Sequence, residues 1–140
     1  ARARFLREAE AASRLQHPHV VDVDDFGAEG AMSYLVMELL RGEDFSDFLQ
    51  REQRVSAARL VDLMLPVCAA IQAAHTIGVV HRDLKPQNIF LARTAVGDVV
   101  PKVLDFGISK IVDDGTGGLT SSGTLMGTPH YLAPEMVAES

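Results

Sequence analysis

No segment limits the fold of this chain more than His81-Arg82-Asp83-Leu84-Lys85-Pro86-Gln87-Asn88, followed downstream by Asp105-Phe106-Gly107. The first places an acid, a base and an amide at i, i+2 and i+5 from Asp83, and the second sets a carboxylate on a tight glycine turn. Groups of this kind are usually carried on loops held by a rigid scaffold. The stretches around them, Val79-Val80, Asn88 to Leu91 and Lys102 to Leu104, read as short strands. The framework is therefore mixed α and β.

The rest of the chain agrees. Residues 2 to 16 favour a helix, with Phe5, Ala9, Ala12 and Leu15 or Gln16 along one side, and His17-Pro18 stops it. Val20 to Phe26 and Ser33 to Glu38 read as a β-hairpin around a Gly27 to Gly30 turn. A short helix is expected over Asp44 to Arg51. Ser56 is a plausible N-cap for a long helix in which Leu60, Met64, Val67 and Ile71 recur at helical spacing and Gly78 supplies the exit. Pro66 inside it predicts a bend rather than two helices, because the proline ring crowds the preceding turn.

Composition excludes several classes. The 140 residues leave room for one domain at most, and 47% hydrophobic content is ordinary for a packed core. Thirteen basic against nineteen acidic residues give a net charge of −6, with no basic stripe, which argues against nucleic-acid binding. The single cysteine, Cys68, cannot close an internal disulfide, so a reducing, cytoplasmic compartment is expected, and in its helix it reads as a small apolar residue. No apolar run reads as long enough to span a membrane and no signal peptide precedes residue 1, although a fragment can lose its anchor.

The residue types suit phosphoryl transfer, which asks for positioning and charge neutralisation more than covalent work. Asp105 and Asn88 offer hard oxygen ligands of the kind Mg²⁺ prefers beside nucleotide phosphates. Asp83 can accept the proton of an attacking hydroxyl, and Lys85 can neutralise the phosphoryl in flight. Alone, Asp-Phe-Gly is more often a strand end running into a turn. His81 is expected to be a buried structural histidine rather than a proton carrier. Residues 113 to 127 are rich in Gly, Ser and Thr without periodicity, and without Gly-Lys-Ser/Thr they are no P-loop. A flexible linker would look similar.

Taken together with Gly127-Thr128-Pro129-His130-Tyr131-Leu132-Ala133-Pro134-Glu135, the order and gaps resemble the eukaryotic-like (Hanks-type) serine/threonine protein kinases, in their bacterial branch. The resemblance spans the whole chain. It implies an α+β, bilobal kinase-like fold in partial form: residues 1–140 as one partial domain, with 1–40 the remainder of the small lobe and hinge and 41–140 the upper large lobe. By the same likeness Asp83, Lys85, Asn88 and Asp105 are catalytic, and Asn88 and Asp105 hold Mg²⁺. ATP would meet Glu8, Met37, Glu38, Leu40, Lys85, Asn88, Phe90 and Asp105, with Met37 as gatekeeper, backbone groups of Glu38 and Leu40 on the adenine edge and Glu8 pairing a lysine.

Thr120, Ser122 and Thr124 become activation-segment phosphosite candidates, with Arg82, expected to be buried, as the phosphate's partner. Thr128 would bond Asp83 and Lys85 and shape the substrate floor. Protein Ser/Thr side chains are the implied substrates, with self-association for trans-autophosphorylation and no membrane contact in this segment. Nothing reads as the Gly-rich loop or the ATP-binding lysine, and Glu135 lacks its usual arginine partner. The chain is accordingly expected to be an internal fragment, inactive alone, exposing apolar faces over 60 to 71 and 103 to 111. A pseudokinase that only binds partners, or a small-molecule phosphotransferase, are the alternatives.

Overall fold

The computed structural model describes residues 9–10, 13–30, 32–106, 131 and 134. Of the helix expected over 2 to 16, Ala9, Glu10 and Ser13 are helical and the remainder lies largely outside the described residues. Next comes an antiparallel hairpin, β1 (Val23–Glu29) with β2 (Met32–Met37). Its turn is tighter than expected: β1 runs on through Gly27, and Glu29 already faces Met32. Gly27 continues the strand because the Tyr34 ring lies over it where a Cβ would stand, a cross-strand pairing that favours pleated structure.

Beyond the hairpin, a second sheet has the order β3-β4-β5, all antiparallel, from β3 (Gly42–Asp44), β4 (Ile89–Arg93) and β5 (Val99–Val103). Strand β3 was not expected from the sequence. It exists because Gly42, at φ +145, brings its backbone so close to β4 that a Cβ would strike the Leu91 carbonyl. Pro101 is tolerated in β5 because that strand lies at the edge of the sheet. Residues 19 to 21 cover the edge: Val21 N–H donates to Val103 O at 3.0 Å and Val103 N–H to His19 O at 2.9 Å.

Two helices lie between β3 and β4. Helix α1 (Phe45–Glu52) is capped by Asp44, whose carboxylate accepts the Asp47 N–H at 3.0 Å. Helix α2 (Ala57–Thr76) is capped by Ser56 as expected and continues as one helix through Pro66. The strand expected at Val79-Val80 does not form. Instead, Val79 N–H returns to Ala74 O at 2.9 Å and closes the end of α2.

The core joins Leu15, Val20, Phe45, Phe48, Val67, Ala70, Ala74, Ile89, Leu91, Val103 and Phe106. Helix α2 contributes a narrow seam, Val67, Ala70 and Ala74, while Leu60, Val61 and Leu65 are exposed. The expected apolar exposure over 60 to 71 is therefore present; of the face expected over 103 to 111, Val103 and Phe106 are buried in the core rather than exposed, and 107 to 111 lie outside the described residues. A second expectation needs correction. Helix α2 is long and apolar enough to cross a membrane, with mean hydropathy 1.5 over an 18-residue window. Its inner seam, Val67, Ala70 and Ala74, packs in the core.

Candidate active site

The loop from His81 to Asn88 has one turn of 3₁₀ helix, Pro86–Asn88, and otherwise irregular backbone. Side chains hold it. His81 is 3% exposed, accepts the Asp83 N–H on Nδ1 at 3.3 Å and donates from Nε2 to Leu104 O at 2.7 Å. Its ring lies 4.9 Å from that of Phe106. A ring that accepts at Nδ1 and donates at Nε2 is the neutral tautomer. Burial pushes the His81 pKa down, against the pull of the Leu104 carbonyl and of Asp83 and Asp105. His81 is thus the expected structural histidine, joining the loop to the strand end that carries Asp105.

Asn88 does the same at the other end of the loop. Its Nδ2 donates to Asp83 O at 2.8 Å and to Asp83 Oδ2 at 3.3 Å, while its own carbonyl accepts the Leu104 N–H at 2.9 Å. The amide's Oδ1 is the side left to act as an acceptor for something else. Lys85 Nζ stands 3.1 Å from Asp83 Oδ2. The acid, base and amide read from the sequence therefore meet around one carboxylate.

Asp105 sits at φ +50, an uncommon backbone state for a residue with a Cβ. Burial pushes its carboxyl pKa up and the charge of Asp83 adds to this, opposed by His81 and Lys85. A buried carboxylate that resists ionisation is one that a nearby cation would relieve. Arg82 departs from expectation: it is exposed, at φ +62, because the backbone turns outward there as His81 turns in. The desolvation cost that made a phosphate its necessary partner is absent.

Met37 closes β2, and Glu38 to Arg41 lead into β3. Glu38 N–H donates to Asp22 O at 3.0 Å, and its side chain accepts from Asp22 N–H at 3.0 Å and from Lys102 on β5. Phe90, half-buried on β4, is the register partner of Lys102 and Asp44. The segment after β2 is thereby linked to β5, the strand that leads toward Asp105. Glu8, Thr120, Ser122, Thr124 and Thr128 lie outside the described residues.

A model of the protein kinase domain matches residues 1–140. This chain belongs to the protein kinase family. Among curated kinases it is 45% identical to serine/threonine-protein kinase pkn3 of Myxococcus xanthus, over 99% of this chain and 26% of that protein. It is 42% identical to serine/threonine-protein kinase PknA of Mycobacterium tuberculosis, over 94% of this chain and 30% of that one. The chain thus spans between a quarter and a third of these two relatives. In solved structures, it resembles the M. tuberculosis PknI kinase domain with a TM-score of 0.68 and 30% identity, over 76% of this chain and 41% of that one. It also resembles Rad53 1-466 in complex with AMP-PNP, with a TM-score of 0.75 and 32% identity, over 96% of this chain and 32% of that one. The α+β kinase-like fold is thereby established for this chain.

Lys102 and Asp22 were not among the residues expected to matter. The signal for Lys102 was present: a lysine inside the apolar strand Val99–Val103 calls for a carboxylate. Asp22 left no such sign, because it acts through its backbone.

Proposed function

We propose that the chain is the catalytic-loop part of a serine/threonine protein kinase that moves the γ-phosphate of ATP to Ser or Thr hydroxyls of other proteins. The observation that carries this reading is the convergence of Lys85 and Asn88 on the Asp83 carboxylate. Asp83 is the base for the incoming hydroxyl. Its oxygen is oriented by the Asn88 amide, so it need not be ordered when the hydroxyl arrives. Lys85, already beside Asp83, supplies positive charge where the phosphoryl oxygens gain negative charge. With about one residue in four of the related proteins represented here, the Gly-rich loop and its lysine are assigned to the remainder of the protein.

The donor set fits Mg²⁺. Asn88 Oδ1 and the Asp105 carboxylate are hard oxygen ligands, and burial raises the Asp105 pKa, a penalty on the charged form that a bound cation would offset. Asn88 and Asp105 would hold the metal, which would supply positive charge beside the nucleotide phosphates. By the kinase resemblance, Met37, the backbone of Glu38 and Leu40, and Phe90 border the adenine, and Glu8 serves the phosphate-binding lysine. Residues 1–40 then belong to the small lobe and hinge, and 41–140 to the large lobe.

Phosphorylation of Thr120, Ser122 or Thr124, by a second copy of the kinase, is proposed as the switch, with exposed Arg82 as a reachable cation. Thr128 is assigned to the substrate floor, and the setting is cytoplasmic. The test is transfer of labelled γ-phosphate from Mg-ATP by the full-length protein to itself and to a generic protein substrate. Label on Ser and Thr that disappears with Asp83→Asn is the expected result. No label from well-folded wild type would instead favour a pseudokinase.

A further inference from the structure

Three separated parts of the chain meet on the side chain of Glu38, and no step of phosphoryl transfer requires it. Asp22 precedes β1, Glu38 follows β2 and Lys102 lies on β5. The Glu38 N–H is taken by Asp22 O at 3.0 Å, and its Oε1 accepts both the Asp22 N–H at 3.0 Å and the Lys102 ammonium. The side chains of Lys102 and Glu38 are only 15% and 29% exposed. A lysine that shielded is costly without a partner, and a pair that shielded is less screened than one on the surface. Burial raises the Glu38 carboxyl, yet the bonds from Lys102 and Asp22 outweigh it and hold the group below its ordinary range. Residue 38 is therefore fixed through both its amide and its carboxylate.

Fixing those two groups narrows the directions open to the Glu38 carbonyl, the group assigned above to the adenine edge. A binding group already held in its bound orientation spares the ligand the cost of ordering it. We infer that Lys102, together with the backbone of Asp22, is a positioning residue that pre-sets the Glu38 carbonyl for the adenine of ATP, without itself touching the nucleotide. This rests on the kinase reading given above. It differs from a purely structural role in one respect: the loss must appear in recognition of the base and not of the phosphates.

The experiment measures dissociation constants for ATP and for adenosine by calorimetry, and KM and kcat for ATP, in the full-length protein. The variants are Lys102→Met, Lys102→Gln and Lys102→Arg, with the reversed pair Lys102→Glu and Glu38→Lys. Lys102→Met is expected to weaken ATP and adenosine by the same factor, roughly five-fold, with KM rising in step and kcat unchanged, as lost pre-organisation requires. Lys102→Arg restores binding, and the reversed pair recovers part of what either reversal loses. Should Lys102→Met fail to fold, Lys102→Gln keeps a hydrogen bond without the charge and carries the same test. Unchanged affinities, a loss confined to ATP, or a higher kcat at unchanged KM would each overturn the inference, the last by showing that the pair restrains the enzyme. If wild type binds neither ligand, the kinase reading itself fails, a result seen before any variant is made.

Discussion

The loop His81 to Asn88 and the helix α2 that precedes it are held by opposite means. Helix α2 is regular, its backbone bonds are internal, and it touches the core mainly through Val67, Ala70 and Ala74. The loop is almost without regular structure, yet the buried His81 ring bonds the Leu104 carbonyl, the Asn88 backbone carbonyl takes the Leu104 N–H, and the buried Asn88 side chain ties back to Asp83 within the loop. Among the described residues no buried side-chain nitrogen or oxygen lacks a partner. Irregular backbone thus becomes the rigid part of the site because it is cross-linked by directional bonds. The helix supplies bulk and relies on small residues for a close approach.

The sharpest way to test this contrast is to remove chemistry from the loop while keeping its shorter tie, the bond from the Asn88 amide to the Asp83 backbone. In Asp83→Asn the base is lost while the Asp83 backbone carbonyl still receives the Asn88 amide. Phosphotransfer by the full-length protein should fall by about 10²–10⁴-fold, with an unchanged melting temperature, since a positioned base is worth that much. A large loss of stability would show that the carboxylate is itself a tie, and the contrast would weaken.

Phe106→Ala attacks the packing under the loop. The ring is 5% exposed and stacks at a tilt against His81, so its removal opens a cavity where loop and strand end meet. Unfolding by denaturant should show a loss of about 3–5 kcal/mol. The outer face of the helix offers nothing comparable, because Leu60, Val61 and Leu65 have little burial to lose.

His81→Gln tests the polar ties, and pH separates them from packing. The folded-state pKa of His81 lies below the unfolded value of about 6.5, so the unfolded chain takes up a proton that the folded chain refuses. Wild-type stability should therefore be insensitive to this group above about pH 6.5 and fall as pH drops through and below it. At pH 8 the variant should be less stable by about 1–3 kcal/mol, the cost of unsatisfied buried partners. That gap should narrow toward pH 5, and a gap constant with pH would mean that burial does not lower the His81 pKa in the folded chain.

Much of this was legible in the sequence because the determinants are local. Ser56 and Asp44 cap helices through bonds to residues three positions on, and His81, Asp83, Lys85 and Asn88 lie within one short loop. What escaped notice depends on distant chain. Strand β3 needs the backbone of β4 beside Gly42, and the link from Glu38 to Lys102 joins positions far apart in sequence. Arg82 was misread for the same reason: its exposure follows from a left-handed backbone turn that no residue type announces. Val79-Val80 has strand composition but is claimed by the end of α2.

The smallest effect bears on whether α2 sets the loop or merely precedes it. The Ser56 hydroxyl accepts the Arg59 N–H at 3.3 Å in an exposed position, a long bond that water can replace. Ser56→Ala should therefore cost about 0.5–1 kcal/mol, toward the lower part of the range for lost caps. The denaturant midpoint would register it with no change in slope. Phosphotransfer should not change, because the cap lies at the end of α2 remote in sequence from His81, and the junction next to the loop is secured by the separate bond from Val79 N–H to Ala74 O. If activity fell along with stability, strain at the start of the helix would be reaching the loop, and the ties at His81 and Asn88 could no longer be regarded as what makes it rigid.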